Sequence, residues 1–271
     1  MMISVSNIAW DIPEEPDIAA LLRQRGIAHI DIAPGKYFPD PERATSAEVG
    51  AVRRLWEERG FAIYGVQSLL FGTSGLNLFD DPEERMLRRL EAICRIGSGL
   101  GTRTLTFGSP RQRDRSGLED AAANAIAVDF FRKLGNAAGD AGVIVCLEPN
   151  PALYGCNFMV STDETAAVVS AVDHPAIRLQ LDIGALVLNG EPPEETIERH
   201  APLIGHVHAS EPRLVTLGDG GAPHHEAGTA IRAVRPDLVV TIEMVASPAR
   251  PRREEVARAV DLAVRCYGDS S

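Results

Sequence analysis

The chain has 271 residues, 45% of them hydrophobic, enough for a substantial core and too many for a disordered chain. A net charge of −11 and a pI near 5.1 argue against the basic face that nucleic acid or an anionic membrane would need. Four scattered cysteines (Cys94, Cys146, Cys156, Cys266) form no CxxC pair and fit a reducing compartment. The N-terminal MMISVSNIAW lacks the basic patch and long apolar run of a signal peptide, and no stretch approaches the roughly 20 apolar residues of a membrane span. A cytoplasmic protein is expected.

In chain order, short β-branched runs alternate with longer helical patterns. The expected strands are ISVSNIA (3–9), IAHIDIA (27–33), FAIYGVQ (61–67), TRTLTFG (102–108), GVIVCLE (142–148), IRLQLD (177–182), IGHVHA (204–209) and LVVTIE (238–243). Between them lie amphipathic segments such as SAEVGAVRRLWEERG and PEERMLRRLEAICRIG. Thr45 with Glu48, and Ser161 with Glu164, read as helix starts of the capping-box type. Regular βα alternation with apolar strands predicts a parallel sheet covered on both faces. Eight units in this length predict a (β/α)₈ TIM barrel of the α/β class. A doubly wound sheet would carry a GxGxxG turn after the first strand, whereas the chain has WDIPEEP there. Without a linker or composition break, residues 1–271 are expected to form one domain.

A barrel collects its active-site groups at the C-terminal ends of its strands. The fifth strand ends on Glu148, the sixth on Asp182, the seventh near His208 and the eighth on Glu243, with spacings of 34, 26 and 35 residues. Each spacing is one βα unit. Alone, Asp182 would cap a helix, His208 would be a hydrogen-bonded core histidine, and each glutamate would pair with an arginine. Four metal-type ligands at equivalent ends of consecutive strands, about 4.8 Å apart, predict one shared divalent cation. His206 points the same way one layer deeper and is expected to be packed. His224 and His225, in a Gly/Pro-rich loop, are expected at the rim.

Three carboxylates and one imidazole suit Mn²⁺, Co²⁺ or Mg²⁺ before Zn²⁺. Such a site can hold the carbonyl and adjacent hydroxyl of a sugar and stabilise an enediolate. Glu148 and Glu243 are the candidate acid/base pair, each able to move a proton. Lys36, Gln67, Arg113 and Glu211 follow strands two, three, four and seven, so their loops reach the same mouth and are expected to supply substrate contacts. Arg111, Arg113 and Arg115 could receive a phosphate, although a loop charge run more often faces solvent.

On the residues "DIAPGKYF", "VQSLLFG", "FGSPRQR", "EPNP" and "SEP", together with the four strand-end ligands, nearly the whole chain resembles the xylose isomerase-like TIM barrel superfamily and its sugar phosphate isomerase/epimerase group. The resemblance implies a metal set of Glu148, Asp182, His208 and Glu243, with the glutamates as proton-transfer groups. It also implies a small carbohydrate substrate and pairing of barrels into a homodimer. Ala185 and Tyr154 stand where ketose epimerases of the family carry a histidine and a glutamate, so the substrate contacts differ from theirs.

The leading expectation is a metal-dependent sugar isomerase or epimerase. The alternatives are a lyase of the inosose dehydratase type, using the same enediolate, and a non-catalytic barrel. The superfamily's endonuclease branch is disfavoured, since it resembles a three-metal site in a basic groove and this chain has seven histidines and a −11 charge.

Overall fold

The computed structural model describes residues 1–247 and 250–268. Eight strands, β1 (Met2–Ser6), β2 (His29–Ile32), β3 (Ala62–Val66), β4 (Thr104–Phe107), β5 (Ile144–Leu147), β6 (Ile177–Asp182), β7 (Ile204–Ser210) and β8 (Val239–Glu243), pair in parallel with their sequence neighbours. β8 closes on β1 through Met2↔Val239 to Val5↔Ile242. The result is a closed eight-stranded α/β barrel. Nine helices are present among the described residues: α1 (Glu15–Gln24), α2 (Ser46–Glu58), α3 (Arg85–Leu100), α4 (Asp120–Asp140), α5 (Thr162–Val172), α6 (Ile183–Asn189), α7 (Pro193–His200), α8 (His224–Val234) and α9 (Arg252–Tyr267). No helix is long and apolar enough to cross a membrane among the described residues.

The helix starts follow local chemistry. Thr45 and Glu48 form a reciprocal capping box on α2. At α5 only half of that motif forms: Ser161 Oγ accepts from the Glu164 amide at 3.1 Å, while the Glu164 carboxylate takes the Met159 and Val160 amides. β1 is shorter than its apolar run suggests, because residues 7–9 form a 3₁₀ turn. Asn7 Oδ1 accepts from the Ala33 amide at 2.8 Å, tying the ends of β1 and β2.

The strands are not uniformly apolar. β2 reads HIDI, β4 TLTF, β6 IRLQLD and β7 IGHVHAS, alternating large apolar with polar residues. The apolar set faces the helices: Phe107 packs edge-on against Phe131 of α4, their ring centroids 5.4 Å apart. The polar set meets across the barrel axis. Thr106 on β4 donates to Gln180 on β6 at 3.3 Å, and Tyr64 on β3 stacks on His206 of β7 with centroids 5.7 Å apart. The core is therefore a ring between sheet and helices, around a polar interior.

Candidate metal centre

Glu148 directly follows β5, Asp182 and Glu243 end β6 and β8, and His208 lies within β7. Register aligns them, with Asp182 opposite His208 and Ser210 opposite Glu243. One ligand-type atom from each of the four lies within 4.8 Å of the others. His208 Nδ1 sits 3.1 Å from Glu148 Oε1 and 3.3 Å from Glu243 Oε2. The carboxyl groups are individually anchored. Gln67 Nε2 donates to Glu243 Oε1 at 2.6 Å, and Asn150 Nδ2 donates to Glu148 Oε2 at 3.2 Å. Ser210 Oγ and the Ala185 amide both donate to Asp182 at 2.6 Å.

Asp182 is thus both the N-cap of α6 and a member of the cluster. The two roles coexist because each carboxylate oxygen has a second lone pair. Close approach also shapes the Glu148 side: a Cβ at Gly108, just beyond β4, would lie 2.2 Å from Glu148 Oε2. Only a residue without a side chain leaves that carboxylate its place.

The electrostatics are those of three crowded anions. Burial, with the charges of Glu148 and Glu243, pushes the Asp182 carboxyl up to about 7. Burial alone would lower His208, but Glu243 and Glu148 override it and hold the imidazole well above its ordinary value. Without a cation, both the imidazole and the Asp182 carboxyl are pushed toward holding a proton. A divalent cation supplies the same two charges at one point, and the oxygen-rich donor set with one imidazole fits it. Glu148 and Glu243, with side chains 12% and 13% exposed, and Asp182 are reachable from a cavity of about 1080 Å³ at the C-terminal end of the barrel. His208 is fully buried beneath them.

The residues expected to contact substrate are placed differently from one another. Gln67 lines the cavity and grips Glu243. Glu211 also borders it, but its carboxylate is bonded to the Gly218 and Ala222 amides, at 2.7 and 2.9 Å, and to His224. It ties down the loop after β7. Arg113 is fully buried; its guanidinium donates to the Glu148 carbonyl at 2.9 Å and to Cys156 Sγ at 3.1 Å, so it braces the loop after β5. The Lys36 ammonium donates to the Asn7 carbonyl at 2.5 Å and to that of Trp10, and it does not line the cavity. Among the three arginines after β4, Arg115 is paired with Asp120, and Arg111 lines the cavity.

His206 is packed as expected, bonded to Gln180 and Thr241. His224 differs from expectation. It is buried, not at the rim, because Glu211 at 3.2 Å and Tyr267 Oη at 2.7 Å enclose it, and Tyr267 comes from the last helix of the chain. Sequence reasoning gave no role to Asn150, Ser210 or Asp31. For Asp31 a signal existed, a carboxylate inside the apolar run IAHIDIA. Ala185 and Tyr154 both line the cavity, and Tyr154 Oη accepts from the Arg213 amide at 2.8 Å.

A family model described as a xylose isomerase-like TIM barrel matches residues 19–265. No curated protein sequence matches the chain. Among solved structures, a D-psicose 3-epimerase determined in the presence of D-fructose superposes with a TM-score of 0.80 at 18% identity, covering 99% of this chain and 100% of that one. The 3-keto-D-glucoside 4-epimerase YcjR from E. coli gives a TM-score of 0.76 at 18% identity, with 96% and 98% covered. The IOLI protein with a bound zinc atom gives 0.75 at 14% identity, with 99% and 100% covered. At these identities the likeness is one of fold.

Proposed function

The chain belongs to the xylose isomerase-like TIM barrel family, and from that premise we propose that it is a divalent-metal-dependent isomerase or epimerase. Its substrate is a sugar or a sugar-derived keto compound, and the reaction is proton transfer through an enediolate. The observation that carries this reading is the convergence of Glu148, Asp182, His208 and Glu243 within 4.8 Å at the floor of the cavity. These four residues would hold the cation. When bound, it would polarise the substrate carbonyl and offset the negative charge that develops beside it.

The remaining chemistry falls to the chain. Glu148 and Glu243 come from β5 and β8, three strands apart around the mouth, so each can serve a different face of a substrate between them. Gln67 and Asn150 hold one oxygen of each, which fixes where the proton-accepting oxygen points. The epimerases among the structural neighbours support the sugar class, and the zinc in the IOLI structure keeps Zn²⁺ beside Mn²⁺, Co²⁺ and Mg²⁺. Ala185 and Tyr154 on the cavity wall favour a substrate other than a simple ketohexose. A dehydratase, which expels a hydroxyl from the same enediolate, is therefore the second reading.

The test is exchange in D₂O. Metal-loaded protein incubated with a panel of ketoses, 3-keto-glycosides and inososes should place deuterium on the carbon beside the carbonyl, followed by NMR. Glu148→Gln and Glu243→Gln should keep their metal and lose about 10² to 10⁴ in rate. Turnover without solvent deuterium in product or recovered substrate would point to hydride transfer and sink the enediolate scheme. Loss of a hydroxyl instead of inversion would select the lyase.

A further inference from the structure

One layer below the four-residue cluster, the barrel interior houses another carboxylate. Asp31 of β2 is 1% exposed; Ser4 Oγ donates to its Oδ1 at 2.7 Å, and its Oδ2 has no hydrogen-bond partner. Two local features make room for it. The register of β2 on β3 shifts between Ile30 and Asp31, which sets Asp31 opposite Gly65. A Cβ at Gly65 would lie 2.1 Å from Asp31 Oδ2. A register irregularity and a glycine both weaken a barrel strand, and burying a carboxylate costs more still. An apolar side chain would avoid all three.

The complementary atom is close by. His208 turns Nδ1 toward Glu148 and Glu243, and its Nε2, on the opposite edge of the ring, is buried without a partner. Asp31, His206 and His208 each bring one ligand-type atom to within 4.8 Å of the other two. His206 is already engaged, with Nδ1 3.2 Å from Gln180 Oε1 and Nε2 3.0 Å from Thr241 Oγ1, while its Nε2 stays 3.6 Å from Asp31 Oδ2. The Thr241 hydroxyl, already bonded to His206, also bears on the Asp31 carboxylate, but Asp31 Oδ2 and His208 Nε2 each remain buried without a hydrogen-bond partner.

We propose that Asp31 is a positioning residue for the metal centre: its Oδ2 accepts the Nε2–H of His208 through one bridging water, and so fixes the tautomer that presents the Nδ1 lone pair to a divalent cation. The inference rests on the metal centre proposed above. An imidazole ligates through one nitrogen when its proton sits on the other, and a carboxylate behind that proton both orients the ring and raises its basicity. Ser4 completes the chain by holding the far oxygen of Asp31.

The experiment is a Mn²⁺ titration, followed by EPR, of chelator-stripped wild type, Asp31→Asn, Ser4→Ala and His208→Ala, with the melting temperature of each metal-free protein measured alongside. Wild type should bind one Mn²⁺, and His208→Ala should lose most of that affinity. Asp31→Asn should bind about 10- to 100-fold more weakly without a lower metal-free melting temperature. Ser4→Ala, which keeps the carboxylate and only loosens it, should fall between wild type and Asp31→Asn. Asp31→Asn with wild-type affinity would overturn the proposal while leaving the metal centre standing. So would a variant whose melting temperature falls while its affinity holds, since Asp31 would then serve His206 structurally. If Asp31→Asn does not fold, Ser4→Ala decides alone, and unchanged affinity there overturns the proposal. A wild type that binds no Mn²⁺, Zn²⁺ or Co²⁺ would bring down the metal centre itself, and this inference with it.

Discussion

The two layers of the barrel interior hold two histidines, two residues apart on one strand, that burial treats alike and charge treats oppositely. His206 and His208 are both fully buried. In the lower layer, burial drives His206 well below its ordinary value and the charge of His208 adds to it, while its hydrogen-bond partners are the uncharged Gln180 and Thr241. In the upper layer, burial is overridden by Glu243 and Glu148, and His208 is held well above. Depth therefore does not set the charge of a buried group; the charges around it do, and the Asp31 carboxyl 3.6 Å from His206 is itself pushed up by burial. The lower layer behaves as core with polar contents, and the upper layer as a site whose anions call for a cation.

The sharpest way to break this comparison is to remove one histidine at a time. His208→Ala should abolish stoichiometric binding of a divalent metal in equilibrium dialysis and leave the barrel folded by circular dichroism. His206→Ala should do the reverse. It strands Gln180 and Thr241 and leaves a cavity, at a cost of about 2–4 kcal/mol, with one metal still bound. If both variants lose metal equally, the layers are not distinct.

Gly108→Ala probes the upper layer without touching a ligand. The added methyl competes with Glu148 Oε2 for the same space, so metal affinity should fall by roughly tenfold, the lower end of the range for displaced supporting groups, in the same dialysis assay. Unchanged affinity would mean that the loop after β4 yields instead of the carboxylate.

The layers should also differ in their response to pH. The folded chain raises Asp182 from 3.8 to about 7 and His208 above 6.5, so it binds protons that the unfolded chain has released. Stability from a raised group is full below its unfolded value and is lost as pH rises through its folded value. Metal-free protein should therefore melt at a lower temperature near pH 8 than near pH 6, and saturating Mn²⁺ should erase the difference. A stripped protein that is more stable near pH 8 would contradict the charge assignment.

The smallest effect is expected at Glu211. Burial pushes its carboxyl up, but bonds from His224 and the Ala222 and Gly218 amides prevail and hold it below the usual range. Glu211→Gln should speed amide exchange at Gly218 and Ala222 and leave metal affinity unchanged. A large change in KM with unchanged exchange would return Glu211 to the substrate.

Much of this was legible because it is local. Strand ends fall where apolar alternation stops, so Glu148, Asp182, His208 and Glu243 could be placed one per βα unit from spacing alone. Loop origin was equally legible for Lys36, Gln67, Arg113 and Glu211. Side-chain direction was not: Lys36 and Arg113 turn to backbone carbonyls, while Gln67 reaches Glu243, 176 residues away. Ile, Leu and Val dominate the apolar pattern of the strands, while the intervening Thr, Gln, His and Asp are the barrel's interior.

By itself, then, the sequence determined the order of strands and helices, the closure into eight units and the end of the barrel at which the ligands collect, since all three follow from short-range periodicity and the handedness of βα units. Tertiary structure alone decided which polar groups meet. Asp31 of β2 and His208 of β7 come together through ring closure, two register shifts and the absence of a side chain at Gly65. Each of those is a property of neighbouring strands taken together, and no single segment carries it.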